Sequence, residues 1–347
     1  LVPAGSIIVS NRAPIGLIAI ADHSLCTSQG CKSLVKKTDI INEKFVFYFL
    51  TTQEKELNSL GRGTTFFELS SFDLANFKIP VPAIEIQNKI VGYLDRNITE
   101  IDRLIKSFEE QAEQFEVYKR DLISNSVTKG IKKNVSMKDS GVDWMGEVPE
   151  HWNVTKMKWM FEIVKRIYGA EDRDVLSITQ RGIKIKDIDS NDGQLAESYA
   201  NYQVVNVNDF AMNSMDLLTG GVDCSPYEGV TSPDYRVFRF HPDKPQCHTY
   251  YKYMFQMCYT NRIFYRLGQG VSNLGRWRLQ ADQFLNIRLP EPPIEEQEQI
   301  ASYLDTKVGQ IEKLTSDIKA QIGKLKEYRK IVIHDAVTGK IKVTEGE

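Results

Sequence analysis

No stretch of this 347-residue sequence approaches 18 uninterrupted apolar residues, so it offers no candidate for a membrane-spanning helix. No basic-then-apolar start resembles a secretory signal. Five cysteines, an odd number in a long chain, do not form a disulfide framework and point to a reducing compartment, the cytoplasm. Neither sign of charge dominates, since 44 Lys and Arg face 46 Asp and Glu for a net −2. A case for nucleic acid must therefore rest on local features. The phosphate loop Gly-x4-Gly-Lys-Ser/Thr is missing, so nucleotide hydrolysis has no support. No Asn-Pro-Pro-Tyr-like segment or Gly-rich loop after a strand offers a place for adenosylmethionine, and Pro233-Asp234 is not followed by the acidic-x-Lys of metal nucleases. His23, Cys26 and Cys31 lack paired Cys-x2-Cys knuckles and read as ordinary thiols rather than a zinc set, as do Cys247-His248 and Cys258. No catalysis by this chain alone is expected, and no metal.

What is present suits a folded protein. Hydrophobic residues make up 41%, with 16 Phe, 15 Tyr and 4 Trp, which is ample core material. At roughly 150 residues per domain the length suggests about two domains.

The strongest signal is an internal repeat. Phe77-Lys-Ile-Pro-Val-Pro-Ala-Ile-Glu-Ile-Gln returns 210 residues on as Ile287-Arg-Leu-Pro-Glu-Pro-Pro-Ile-Glu-Glu-Gln. The match continues without a gap. Ile90, Tyr93, Leu94, Asp95, Ile101, Leu104, Gln111, Tyr118, Val127 and Thr128 recur as Ile300, Tyr303, Leu304, Asp305, Ile311, Leu314, Gln321, Tyr328, Val337 and Thr338. Each copy opens with Pro-x-Pro, which cannot be helix interior. A long apolar seam follows. In copy one it runs through Leu94, Ile98, Ile101, Ile105, Phe108, Ala112, Phe115 and Leu122, and in copy two through Leu304, Val308, Ile311, Thr315, Ile318, Ile322, Leu325 and Val332. The alternating steps of four and three predict heptad helices. A helix from about 85 to 126 would be roughly 60 Å long. The spacing leaves parallel and antiparallel pairing both open, and a bundle wall is the plainer alternative.

Between the helices the character changes. Residues 134–286 carry many Gly, Asn and Asp breaks, strand-like runs at 202–207 and 235–240, and a predicted helix from about His248 to Leu267. A weaker version of this plan occupies 1–76, with strands at Ile7-Ile-Val-Ser and Gly16-Leu-Ile-Ala-Ile and a helix from Asn42 to Leu60. Gly61-Arg-Gly-Thr-Thr parallels Gly268-Gln-Gly-Val-Ser. Two equal units would leave some 74 residues missing ahead of residue 1 by the repeat arithmetic, so the first domain is expected to be incomplete.

Taken together, the Pro-x-Pro, Ile-x-x-Gln and Ile-x-x-Tyr-Leu-Asp segments, the long heptad helices and the Gly-x-Gly loops resemble the specificity subunit of type I restriction–modification systems. Ser140-Gly-Val-Asp-Trp-Met-Gly-Glu-Val-Pro-Glu-His-Trp-Asn-Val resembles the lead-in to a target-recognition domain of that family. The resemblance implies an α+β fold: two mixed α/β target-recognition domains, at 1–76 and 137–286, separated by repeats at 77–136 and 287–347 whose helices form an antiparallel coiled coil. It implies that each domain reads half of a bipartite double-stranded DNA site. It also implies that two modification (methyltransferase) subunits dock on the repeats, that restriction subunits join them, and that adenosylmethionine, ATP and Mg belong to those partners. Self-association would be open to a chain with an incomplete first domain.

Base reading needs Arg, Lys, Asn and Gln on loops facing a groove. The candidates in the second domain are Gln180, Arg181, Lys184, Lys186, Asn213, Gln269, Ser272, Arg276 and Arg278, and in the first Asn11, Arg12, Arg62 and Thr64. The plainer reading of each is a solvated surface residue or a turn former. Trp277 is expected to face the core, with its flanking arginines outward. The competing hypothesis is a coiled-coil scaffold or inactive remnant without specific DNA binding, which salt-dependent binding to duplex DNA distinguishes.

Overall fold

The computed structural model describes residues 1–63, 67–188, 198–244, 246–268 and 277–343. It separates into two compact units, Leu1–Glu113 with Thr315–Glu347, and Gln114–Leu314. Both unit boundaries fall within the long helices, so neither coincides with the domain limits read from the sequence.

In the first unit, β1 (Ile7–Ser10) alternates buried and half-buried side chains, the period of a strand covered on one face. It is the centre of an antiparallel sheet, flanked by β2 (Ile18–Ile20) and β3 (Cys31–Leu34). Asn42 caps α1 (Glu43–Thr51) by accepting from the N–H groups of Lys44 and Phe45. The single helix expected from Asn42 to Leu60 is broken. The hydroxyls of Thr51 and Thr52 donate to the carbonyls of Tyr48 and Phe49, both at 2.7 Å, offering the chain an alternative to continuing. It resumes as α2 (Glu54–Ser59), and Ser70 then caps α3 (Ser71–Ala75). The long helix α4 (Ile84–Lys129) starts just past the Pro-x-Pro stretch and has 46 residues. It stops at Gly130, whose φ of +77° suits glycine at a helix end.

The second unit opens with the hairpin β4 (Met137–Asp139) and β5 (Glu147–Pro149), followed by β6 (Asn153–Lys156) and β7 (Phe161–Val164). Next come the hairpin β8 (Leu176–Thr179) and β9 (Gly182–Ile185), then β10 (Gln203–Val205), β11 (Phe210–Met212), β12 (Val222–Cys224), β13 (Gly229–Thr231) and β14 (Arg236–Phe240). Four strands form the main antiparallel sheet in the order β12-β11-β14-β7. Phe161 on β7 sits at the hub of an aromatic cluster with Phe210, Phe238, Phe240, Tyr251 and Phe255. The helix expected from His248 to Leu267 is two helices, α5 (His248–Thr260) and α6 (Ile263–Arg266). Arg262 between them is left-handed, with φ +57°, and the helical path ends there. After α7 (Ala281–Asn286), β15 (Arg288–Glu291) carries the second Pro-x-Pro into a strand paired with β6. Pro290 opposes Val154 in that ladder, an edge position that proline tolerates.

The last long helix, α8 (Ile294–Val337), has 44 residues. Its Ile300, Ala301, Leu304 and Val308 belong to the same core as Tyr250, Phe255 and Phe264, so the start of the repeat is part of the second domain's interior. Along the seam, Leu94, Ile98, Ile101, Ile105, Ala112, Leu304, Val308, Ile311, Ile318, Ile322 and Val332 are buried, while Phe108, Phe115, Leu122 and Leu325 are half-buried. In the first unit, Asp102 pairs with Arg329 at 2.8 Å and Glu109 with Lys326 at 3.0 Å. Numbers rise along one helix as they fall along the other, which is antiparallel. In the second unit, Lys119 meets Glu312 at 3.6 Å and Lys132 meets Glu296 at 2.7 Å, in the same sense.

Candidate nucleic-acid interface

Two matching fastenings, built on the same Gln and Asp, hold each sheet-bearing domain to its long helix. Gln87 is fully buried and its Oε1 accepts from the Asn42 N–H at 2.8 Å, while its Nε2 donates to the carbonyls of Pro82 at 2.7 Å and Ile40 at 2.9 Å. Gln297, its repeat partner, accepts from the Cys247 N–H at 3.0 Å and donates to the Pro292 carbonyl at 2.9 Å. Two helical turns on, Asp95 accepts from the Tyr48 hydroxyl at 2.7 Å, and Asp305 from Tyr253 at 2.8 Å. Burial, and then these carboxylates, push both phenol pKa values up. The repeat-identical Gln and Asp thus fasten the N-terminus and second turn of α1 and of α5.

The second domain projects a hairpin. Gln180 and Arg181 form the two-residue tip between β8 and β9, and both are exposed. Gly182 ends the tip at φ +100°, beside the carboxylate of Asp223 on β12. Asp223 accepts from the Ile183 N–H at 3.2 Å and from Gln256 Nε2 at 3.2 Å, tying the hairpin to the sheet and to α5. Burial raises the Asp223 pKa. The tip walls a cleft of about 320 Å³ together with Arg120, Lys119, Gln256 and Asn261. Lys184 is exposed on β9, and Lys186 is half-buried just beyond it. An amide and a guanidinium at a hairpin tip can reach base edges and phosphates alike.

Other candidates are placed differently. Asn213 is half-buried and acts as a turn former, its Oδ1 accepting from the Met215 and Asp216 N–H groups at 3.1 and 3.2 Å. Asn11 is not on a solvated loop. It is fully buried at the end of β1 and donates to Glu68, because the chain there is closed over by the 67–69 segment. Arg12 lies half in solvent and meets Glu68 at 3.3 Å, and the exposed Arg62 meets Asp73 at 3.0 Å. Arg278 is exposed, and Trp277 beside it is half-buried against the ring of Tyr265. Thr64, Gln269, Ser272 and Arg276 lie outside the described residues. Arg120, part of the repeat helix by sequence, also lines the hairpin cleft. No local sequence signal marks it.

Among the described residues no three His, Cys, Asp or Glu side chains are grouped to hold a metal ion, and no helix is long and apolar enough to cross a membrane. Cys26 is exposed and Cys31 half-buried, 3.9 Å from the Ser28 hydroxyl.

Two mixed domains, each fastened by the same residues to antiparallel long helices, define a duplicated, helix-linked protein. The chain belongs to the family of the type I restriction modification DNA specificity domain, which it matches over residues 1–114 and 149–324. It is 25% identical over 326 residues to the type I restriction enzyme MjaVIII specificity subunit of Methanocaldococcus jannaschii, covering 89% of this chain and 73% of that protein. It is 31% identical over 158 residues to the MjaIX specificity subunit of the same organism, a match covering 45% of this chain and only 35% of that one. A solved structure reported for complex assembly and conformational transition of the type I R-M system shares the fold at TM-score 0.73 and 16% identity, over 98% of this chain and 83% of the other. The HsdS subunit from Thermoanaerobacter tengcongensis matches at TM-score 0.51 and 15% identity, over 98% and 82%.

Proposed function

We propose that this chain is the non-catalytic DNA sequence-recognition subunit of a type I restriction–modification complex. Each mixed domain reads one half of a bipartite duplex site, and the α4–α8 pair sets the number of base pairs between the halves. At 1.5 Å per residue, α4 is about 69 Å long, on the order of two turns of B-DNA. The observation that carries this reading is the duplicated fastening: the repeat supplies the same Gln and Asp twice, once to each mixed domain.

The repeat also supports two copies of one partner. Leu104, Gln111 and Tyr118 fall every seventh residue on α4, off the seam and exposed, and the identical Leu314, Gln321 and Tyr328 are exposed on α8. Seam packing does not explain identity at exposed positions. Two modification subunits, each bringing adenosylmethionine and the methylation chemistry, would find the same stripe twice. Restriction subunits with ATP and Mg would complete the assembly.

The hairpin tip is the place to test base reading. Gln180→Ala and Arg181→Ala, in a chain purified with its modification subunits, are expected to weaken binding to the cognate site by about 5- to 150-fold each, since a good bidentate base contact is worth about 1–3 kcal/mol. Unchanged affinity and unchanged discrimination in both variants would take the hairpin out of the interface.

A further inference from the structure

Two corners of the molecule share one plan but differ in charge at one matching position. In the first unit, Lys32 on β3 pairs with Val9, two residues before Asn11, whose carbonyl accepts from the Leu69 N–H at 2.8 Å. In the second, Arg236 on β14 pairs with Met212, two residues before Ser214, whose carbonyl accepts from the Leu279 N–H at 3.2 Å. Glu68 and Arg278 stand just before those leucines, each two residues ahead of a helix N-cap, Ser70 or Gln280. Glu68 gathers the charge of its corner, accepting from Asn11 and meeting Arg12 at 3.3 Å and Lys32 at 3.8 Å. Its counterpart is Arg278, so the position that is acidic in the first corner is basic in the second.

The consequence falls on Arg236. It is only 9% exposed and lies over the ring of Phe284 at 4.6 Å. One guanidinium nitrogen donates to the Leu279 carbonyl at 2.7 Å, and Nη1 is buried with no hydrogen-bond partner among the described residues. Burial pulls its pKa down to about 10. A buried cation without a counter-charge is costly unless something supplies one. Arg236 lines a cleft of about 270 Å³ with Lys165 and Arg278, both exposed and neither in an ion pair among the described residues. Asp234 is the single acid among the described residues lining it.

We propose that the cleft between Lys165, Arg236 and Arg278 is a phosphate site, filled by a backbone phosphodiester of duplex DNA. This rests on the DNA-recognition reading and adds to it a contact that orients the second domain without reading sequence. Lys and Arg on a phosphate release counterions, so the contact has a salt signature that base contacts lack.

The test uses the full chain purified with its modification subunits, carrying Lys165→Gln, Arg278→Gln or both, and leaves Arg236 in place because it supports the fold. Binding to a mixed-sequence duplex is measured across a salt series. The double variant is expected to lose about one unit from the slope of log affinity against log salt, near the 0.9 per phosphate of B-DNA. The loss should be equal on unrelated sequences, while Arg103→Gln, an exposed change on α4, keeps the wild-type slope. A duplex bound with an unchanged slope overturns the phosphate site. Inorganic phosphate, titrated alone and followed by calorimetry, is expected to show no saturable binding in the millimolar range. Saturable phosphate binding that Arg278→Gln abolishes, with the duplex slope unchanged, assigns the cleft to a free ion and also overturns the proposal. Wild-type complex that binds no duplex at any salt overturns the DNA reading itself, a separate outcome.

Discussion

The hydroxyl of Tyr253 donates to Oδ1 of Asp305 at 2.8 Å, and the pair is repeated by Tyr48 and Asp95 at 2.7 Å. Asp95 has a second donor, Lys44 Nζ at 2.6 Å. Tyr253→Phe is therefore expected to cost about 1–2 kcal/mol of stability, and Tyr48→Phe less, because Asp95 keeps Lys44. Denaturant unfolding of the two variants checks the order. Equal losses, or a larger loss for Tyr48→Phe, contradict it.

Gln297 is the more demanding position. Its amide satisfies the Cys247 N–H and the Pro292 carbonyl, both inside the structure. Gln297→Ala leaves those groups without partners and is expected to cost about 2–4 kcal/mol, with faster amide hydrogen exchange concentrated in the first turn of α5. Exchange that rises evenly over the unit, or not at all, is the contrary result.

Glu296 sets an acid limit on the second unit. Burial favours its neutral form, but donors from Lys132, Trp152 and His151 outweigh that and hold its pKa at about 2. A carboxyl depressed on folding contributes stability that is present above its ordinary range, near 4.5, and lost as pH falls toward about 2. The wild type is thus expected to lose its advantage over Glu296→Gln between those limits. Thermal midpoints that stay a constant distance apart from pH 6 down to pH 2 rule this out.

Thr315 is a polar residue in an apolar seam. It is 3% exposed, its hydroxyl has no hydrogen-bond partner, and its repeat counterpart is Ile105. Thr315→Val keeps the shape and removes the unsatisfied group, so a gain of about 1 kcal/mol is expected by denaturant unfolding. A loss would mean that the hydroxyl has work in the pairing of the helices.

Much of this was legible in the sequence. The four-and-three spacing marked the buried face of both helices, and β1 falls on Ile7–Ser10 as the pattern predicted. The repeat flagged Gln87, Asp95, Gln297 and Asp305 as identical but could not give them a role. Gln87 and Gln297 hold backbone N–H groups of Asn42 and Cys247, and a backbone donor leaves no trace in residue identity. The helix breaks after Thr51 and at Arg262 were missed because apolar periodicity continues through them. Asn11 looked like a loop residue because its burial comes from a segment 57 positions away. Arg236 read only as part of a strand, since its cleft is assembled from segments near 165, 235 and 279.

The most direct test of sequence recognition is a map of methylated adenines after co-expression of this chain with its modification subunits. A bipartite methylated motif is expected, of which Gln180→Ala with Arg181→Ala alters one half and leaves the other intact. Methylation that is absent, or that ignores the hairpin substitutions and every other exposed residue of both domains, would contradict the assignment and leave a coiled-coil scaffold as the better account.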